Sequence, residues 1–299
     1  MADFLMILFN EGKQVRTIKN YRSAIASVHP GFHDGSTLSN NVTINSLLKG
    51  MFHSRPPARR LPPSWSINAV LQSVSGPPYE PLSSASLSDL THKTVFLVAA
   101  ASARRRSCLH ALSVKEGLIR FEPQGVRLLP DPSFLAKNAS LTFTPEEIFL
   151  PSMSQMSSIA EDKLVCPVRA LKYYLNRTKS IRSSDRLFIL PGHPHTPASK
   201  TTLARWVKSL IQPFVQTSEP FRAHDIRSHA TSKAWFKGVP MEEIIRAAAW
   251  KTPASFVSHY LTNTKTAEGS FARAVLSTRH QSRPGRSSSL PGPSRASDQ

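Results

Sequence analysis

Cysteine is almost missing from this chain: of 299 residues only Cys108 and Cys166 are thiols. With two thiols neither a disulfide framework nor a structural zinc site is expected, and their rarity fits a reducing, intracellular compartment. Long apolar runs are missing too. The run VFLVAAA (95–101) is far shorter than the ~20 residues that cross a bilayer, and it leads straight into SARRRS. The opening MADFLMILFN has no basic segment and carries Asp3, unlike a signal peptide; it reads as part of an amphipathic helix, with more chain expected upstream of Met1. Acidic residues are scarce, 19 Asp and Glu against 38 Lys and Arg, so the formal charge is +19 and the pI about 10.5. That excess implies a polyanionic partner, nucleic acid first. No basic helix has a fully apolar opposite face, so a membrane surface is not expected. An RRM-type motif and aromatic stacking platforms are absent, which argues against RNA. His193 and His195 flank a proline in PGHPH and read as loop residues rather than metal ligands.

What is present is a globular composition, 40% hydrophobic and 19% charged, with length enough for two domains. Residues 1 to 75 read as short helices: TIKNYRSAIASVH (17–29) places Ile18, Tyr21, Ala24, Ile25 and Val28 on one stripe, and VTINSLLKGMF (42–52) repeats the pattern. SRPPARRLPPS (54–64) breaks helix and carries Arg55, Arg59 and Arg60, a basic extended stretch able to track along phosphates. A short helix SINAVLQSV follows, and the Pro-rich 76–85 is expected to link the amino-terminal helices to a larger domain, 86–275. That domain opens with a helix pair broken near Ser102. GLIRF, GVRLL and EEIFLP are expected to form a small antiparallel sheet, with RLFIL a further candidate strand. CPVRALKYYLNRT and SKTTLARWVKSLIQPFV read as helices, the second with Ser199 as N-cap. The basic tail 276–299 lacks core-forming residues and is expected to be disordered.

The segment RAHDIRSHATSKAWFKGVPMEEIIRAAAWKTPASFVSHYL (222–261) holds the chemistry. His224 and Arg227, three apart, project from one helical face, where an imidazole and a guanidinium can share a phosphate. Trp250 and Tyr260 follow, and Arg105 lies far upstream in ARRRS. Singly, each is ordinary: a core tryptophan, a core tyrosine, a surface arginine. Jointly, in this order, they resemble the tyrosine recombinases, or phage-type integrases, and most nearly those of DIRS-type retrotransposons. ASARRRSCLHALSV resembles the first arginine box, with Arg105 in place. AHDIR resembles the His-x-x-Arg box, and AAAWKTPASFVSHY the final box. TIKNYRSAIASV resembles the core-binding helices, and CPVRALKYYLNRT a segment of the DIRS type. Two features depart from the pattern or leave a choice. Cys108 stands where the family often has Glu. The hairpin lysine is Lys137 in FLAKNAS, with Lys115 the competitor ahead of the hairpin.

The resemblance covers roughly residues 1–270. It implies a mainly α, two-domain architecture with a small antiparallel sheet and an amino-terminal SAM-like helical bundle. It also implies site-specific, metal-independent DNA strand transfer without any cofactor, for integration of a mobile element in the nucleus. Tyr260 would attack a backbone phosphate, forming a 3′-phosphotyrosyl link and releasing a 5′-hydroxyl. Arg105 and Arg227 would hold the non-bridging oxygens, His224 would handle a proton, Lys137 would protonate the leaving oxygen, and Trp250 would hydrogen-bond and pack the site. The want of a carboxylate cluster agrees with chemistry that holds no Mg²⁺. The partner would be double-stranded DNA, with self-association into a tetrameric synapse, and Lys19, Arg22, Arg205 and Lys208 as further DNA contacts. Two other readings stay open: an inactive DNA-binding domain descended from a recombinase, and a type IB topoisomerase.

Overall fold

The computed structural model describes residues 1–57, 65–137, 139, 147–156, 158–215, 221–259 and 261. The chain divides into two compact units, 1–62 and 63–299. No described helix is long and apolar enough to cross a membrane.

The first unit contains α1 (Ala2–Asn10), α2 (Val15–Ala26) and α3 (Val42–Ser54). Each is too short to stand alone in water, so packing must hold it. Leu5 and Leu8 of α1, Val15 and Ile18 of α2, and Ile44, Leu48 and Met51 of α3 meet in one buried cluster. Their spacings of three and four place them on one face of each helix. Asn41 caps α3, its Oδ1 accepting from the Ile44 amide at 3.0 Å. Arg55, just past α3, donates through Nη2 to the carbonyls of Phe9 (2.7 Å) and Lys13 (2.9 Å), and its guanidinium lies 3.9 Å from the Phe9 ring centroid. The end of α3 is thereby clipped to the end of α1, where a cation suits the open carbonyls.

The second unit begins earlier than the sequence pattern implies. α4 (Ile67–Ser73), placed by its sequence with the amino-terminal helices, contributes Ile67 and Val70 to the larger core, along with Trp65, Val74 and Leu82. The Pro-rich stretch 76–85 is therefore not a free linker. Leu82 is buried, and the Glu80 carboxylate receives Lys93 Nζ at 2.5 Å and Arg169 at 2.7 and 3.0 Å. These tie the stretch to α5 (Leu87–Ser102) and to α9, introduced below. Lys93 has no exposed side-chain surface; burial pulls its pKa down against the Glu80 bond. Burial likewise pushes the Glu80 carboxyl up, but the hydrogen bonds and charges of Arg169 and Lys93 outweigh it and leave the pKa below the usual value.

α5 is buried on nearly every side, with Leu90, Val95, Phe96, Leu97 and Val98 in the core, which marks it as the central helix. α6 (Arg106–His110) follows, then the sheet: β1 (Ile119–Glu122), β2 (Gly125–Leu128) and β3 (Ile148–Pro151), antiparallel in the order β1-β2-β3. Gly125 is required at the turn into β2, because a Cβ there would lie 2.3 Å from the Leu150 carbonyl oxygen. Next come α7 (Met153–Met156), α8 (Ala160–Leu164), α9 (Pro167–Thr178) and α10 (Lys200–Ile211). Ser199 caps α10 as its sequence implies, its Oγ accepting from the Thr202 amide. RLFIL does not form a strand. It makes isolated bridges, Ser113 to Arg186 and Ile189 to Pro197, and its Ile189 amide donates to the Tyr174 hydroxyl at 3.0 Å. A side chain thus satisfies a backbone donor that a neighbouring strand would otherwise have taken. The last elements are α11 (Asp225–Phe236), α12 (Met241–Ala248) and α13 (Pro253–His259). α9, α10, α11 and β3 all pack on α5.

Candidate active site

Arg227, in the first turn of α11, is 1% exposed. A cation this deep needs partners, and a carbonyl and an aromatic ring are among those the fold supplies. Its Nη2 donates to the Ala248 carbonyl at 2.5 Å, at the C-terminal end of α12 where the helix dipole is negative. Its guanidinium carbon lies 4.4 Å from the centroid of the Trp250 ring, a cation–π contact. Trp250 is itself 3% exposed and stacks on Phe256 of α13 at 5.6 Å. Its position follows from how α12 ends. Ala249 adopts a left-handed conformation (φ 49, ψ 57), its amide bonding the Arg246 carbonyl and the Trp250 amide bonding the Ile245 carbonyl. This Schellman-type reversal turns the chain so that the indole meets Arg227.

The end of α5 reaches the same place through a simpler left-handed cap, the Ala103 amide bonding the Ala99 carbonyl. Ala103 is left-handed (φ 49) and joins Ile244, Ala248, Trp250 and Phe256 in one buried cluster. The chain that leaves it carries three consecutive arginines, which separate by function. Arg104 is buried, takes a bond from its own amide to Ser102 Oγ, and donates through Nη2 to the Glu147 carbonyl beside β3. Arg105, at the N-terminal boundary of α6, and Arg106 act instead on His224.

His224 precedes α11. Its side chain keeps a solvent-exposed face while protein crowds the rest of the ring. Its pKa is pushed down to about 4, by burial first and then by the positive charges of Arg227, Arg105, Arg106 and Arg222. At neutral pH the ring is therefore uncharged, able to accept a proton or donate one hydrogen bond. Arginines from two distant parts of the sequence, Arg105 and Arg227, thus act electrostatically on one imidazole. An oxyanion placed there would meet cations from two distant parts of the sequence. Among the described residues, no group of three or more His, Cys, Asp or Glu side chains could hold a metal ion.

No family model and no curated protein sequence matches the chain. Solved structures do. The XerH site-specific recombinase bound to palindromic difH substrate, a post-cleavage complex, is similar over 91% of this chain and 70% of that one, with a TM-score of 0.57 at 15% identity. The fold is the tyrosine recombinase fold. The Tn1549 transposon integrase in complex with transposon right end DNA is similar over 92% of this chain and 84% of that one, with a TM-score of 0.55 at 10% identity. At such identities the likeness is one of fold.

On this tyrosine recombinase fold, the structure brings together Arg105, His224, Arg227 and Trp250. Lys137 is exposed and lies in the connection between β2 and β3; Lys115 lies ahead of β1 and pairs with Asp131 at 3.3 Å. Tyr260 falls outside the described residues, directly after α13, as do Arg59, Arg60 and the tail 276–299. Arg205 and Lys208 are exposed on α10, Lys208 Nζ lying 5.0 Å from the Phe221 ring centroid. Lys19 and Arg22 belong to α2 in the first unit, where Arg55 makes the internal contacts described above. Sequence reasoning passed over Arg106 and Arg222. Their signal was adjacency to boxes already identified, in ARRRS and FRAHD. The ring face of Trp250 beneath Arg227 is a contact that the sequence did not single out.

Proposed function

We propose that this protein is a site-specific DNA recombinase that cleaves and rejoins duplex DNA through a 3′-phosphotyrosyl intermediate on Tyr260. The observation that carries the reading is the meeting of Arg105 and Arg227 at His224, on a fold shared with XerH and the Tn1549 integrase. In the proposed reaction the Tyr260 oxygen attacks phosphorus as its proton passes to His224. The P–O5′ bond breaks, and Lys137 protonates the departing 5′-oxygen. Arg105 and Arg227 bind the non-bridging oxygens, on which charge builds in the transition state. Burial of Arg227 and the stack of Trp250 on Phe256 hold the guanidinium in place before substrate arrives. A phosphotyrosyl link conserves the energy of the broken ester. Attack by the 5′-hydroxyl of a second strand reverses the step on a new partner.

The finer reading follows from the sequence resemblance to DIRS-type elements: integration of a mobile element in the nucleus, by a tetrameric synapse on DNA. Incubation with nicked suicide duplexes tests the chemistry. A covalent protein–DNA adduct that Tyr260→Phe abolishes is the expected outcome. Binding without any adduct from the unmodified protein points instead to a domain that has kept DNA binding and lost cleavage. Supercoil relaxation without recombinant joints points to topoisomerase behaviour.

A further inference from the structure

α4 and α11 meet in a contact that none of the sequence boxes contains. Trp65 stands in PSWS (63–66), directly after the basic stretch 54–64, and is 6% exposed. Its ring lies 4.1 Å, centroid to centroid, from that of His229, at an interplanar angle of 32°. Three residues on, Asn68 Oδ1 accepts from Lys233 Nζ at 2.5 Å. His229 and Lys233 are four apart on α11, so both project from one face of it; Trp65 and Asn68 are three apart at the start of α4. α11 is therefore gripped at two points one turn apart. Arg227, two positions before His229, lies about 200° away around the helix axis. On that other side it meets Ala248 and Trp250. Asp225, four before His229, holds the turn that carries His224, its carboxylate accepting from the Arg222 amide at 2.6 Å.

Beside Ile226, the buried side chains of α11 are polar: Arg227, Ser228, His229, Thr231 and Ser232. Interlocked apolar ridges, which usually fix a helix's rotation, are therefore scarce on it, and specific contacts on its faces must do that work. We propose that Trp65 and Asn68 are positioning residues: by gripping His229 and Lys233 they set the rotation of α11, and so the placing of His224 and Arg227 against Arg105. A roll of α11 would carry His224 and Arg227 together but move both relative to Arg105 and Arg106 at the start of α6. Trp65 Nε1 has no hydrogen-bond partner among the described residues, so the grip is one of ring face on ring face. For the cleavage step this rests on the recombinase reading above; the placing of the helix does not.

The test uses the full chain. It reads the His224 titration midpoint by NMR, the single-turnover cleavage rate on a bound nicked suicide duplex, and the affinity for that duplex. Urea titration gives each variant's stability, and readings are compared at equal fraction folded. Trp65→Ala is expected to raise the His224 midpoint from about 4 toward 6.5. It is expected to slow cleavage by roughly 10²-fold, as small misplacements of reacting groups do, with affinity changed much less. Trp65→Phe, which keeps a ring face, is expected to restore both. His229→Ala is expected to match Trp65→Ala, and the double variant to be no worse than either, since both remove one contact. Asn68→Ala, at an exposed position where the fold is not at stake, is expected to move both readouts the same way by less. Val168→Ala truncates the same core on α9; it is expected to lower the urea midpoint and leave the His224 midpoint and the rate at their parental values. A parental His224 midpoint in Trp65→Ala or in Asn68→Ala overturns the assignment. So do losses in Trp65→Ala that Val168→Ala reproduces, because the role is then only structural. An unmodified protein that forms no adduct overturns the recombinase reading, and the His224 midpoint still decides the placing of α11.

Discussion

At the scale of residues, His224 is the most sensitive reporter of the site. Its pKa of about 4 means that the free protein holds it neutral at pH 7. An NMR titration is expected to place its midpoint well below the ordinary 6.5. Arg105→Ala is expected to raise the midpoint only part of the way, since burial leads the shift. A bound phosphodiester, adding negative charge, is expected to raise it as well. A midpoint near 6.5 in the free protein that Arg105→Ala leaves unmoved would remove the electrostatic link between the two arginine boxes. The sign for stability follows: between pH 6.5 and 4 the unfolded chain binds a proton that the folded chain refuses. The contribution is therefore fully present above pH 6.5 and lost as pH falls toward 4. Arg227→Lys keeps the charge but loses the planar fork and its stack on Trp250. Cleavage is expected to fall about 10²–10³-fold, as for removal of one oxyanion donor, with binding much less affected. The residue types and their order in the sequence pointed to this place, and the structure brings Arg105, His224, Arg227 and Trp250 together there, while Tyr260 lies outside the described residues. That Trp250 packs the site was expected; that its ring lies against Arg227 was not. A tryptophan after AAA is core by pattern, and only tertiary packing shows that the core it belongs to lies against Arg227.

At the scale of elements, strong periodicity translated directly into α3, α9 and α10, and the short β-type runs into the three strands. The stripe expected over 17–29 held only in part: α2 ends at Ala26, it buries Val15 and Ile18, and Tyr21 and Val28 are exposed. Two misreadings have physical causes. Prolines made 76–85 read as a linker, but Glu80 and Leu82 anchor it to α5 and α9 through contacts that no local pattern shows. RLFIL has strand composition, yet the Tyr174 hydroxyl takes the place of a ladder partner. The anchoring by Glu80 can be measured. Glu80→Ala leaves Lys93 buried and unpaired, and breaking a buried pair in this way costs about 3–5 kcal/mol, readable as a lowered urea midpoint. A variant as stable as the parent would show that the ion network is dispensable. The reversal at Ala249 gives a second test. Glycine there is expected to be tolerated, because the left-handed conformation suits it. Valine is expected to cost at least ~1–2 kcal/mol and to disturb Trp250 fluorescence, since a β-branched residue strongly resists that conformation.

At the scale of the whole molecule, the charge of +19 has a consequence independent of any single contact. Lys and Arg that neutralise phosphates release condensed counterions, so affinity for duplex DNA is expected to fall steeply with salt. With about 6–10 phosphate contacts the loss between 50 and 200 mM salt is roughly 10³–10⁵-fold. A flat salt response in a fluorescence-anisotropy titration would separate this protein from that electrostatic mode of binding. The fold is a weaker guide to activity than to architecture, since one fold can host many functions. The central claim is therefore chemical: Tyr260 becomes covalently joined to DNA. The most direct measurement is mass spectrometry of the adduct trapped on a nicked suicide duplex. The account predicts a peptide containing Tyr260 that carries a 3′-phosphoryl nucleotide, absent from Tyr260→Phe, while Tyr21→Phe, Tyr173→Phe and Tyr174→Phe still form it. An adduct on another residue, or one that persists in Tyr260→Phe, would contradict it.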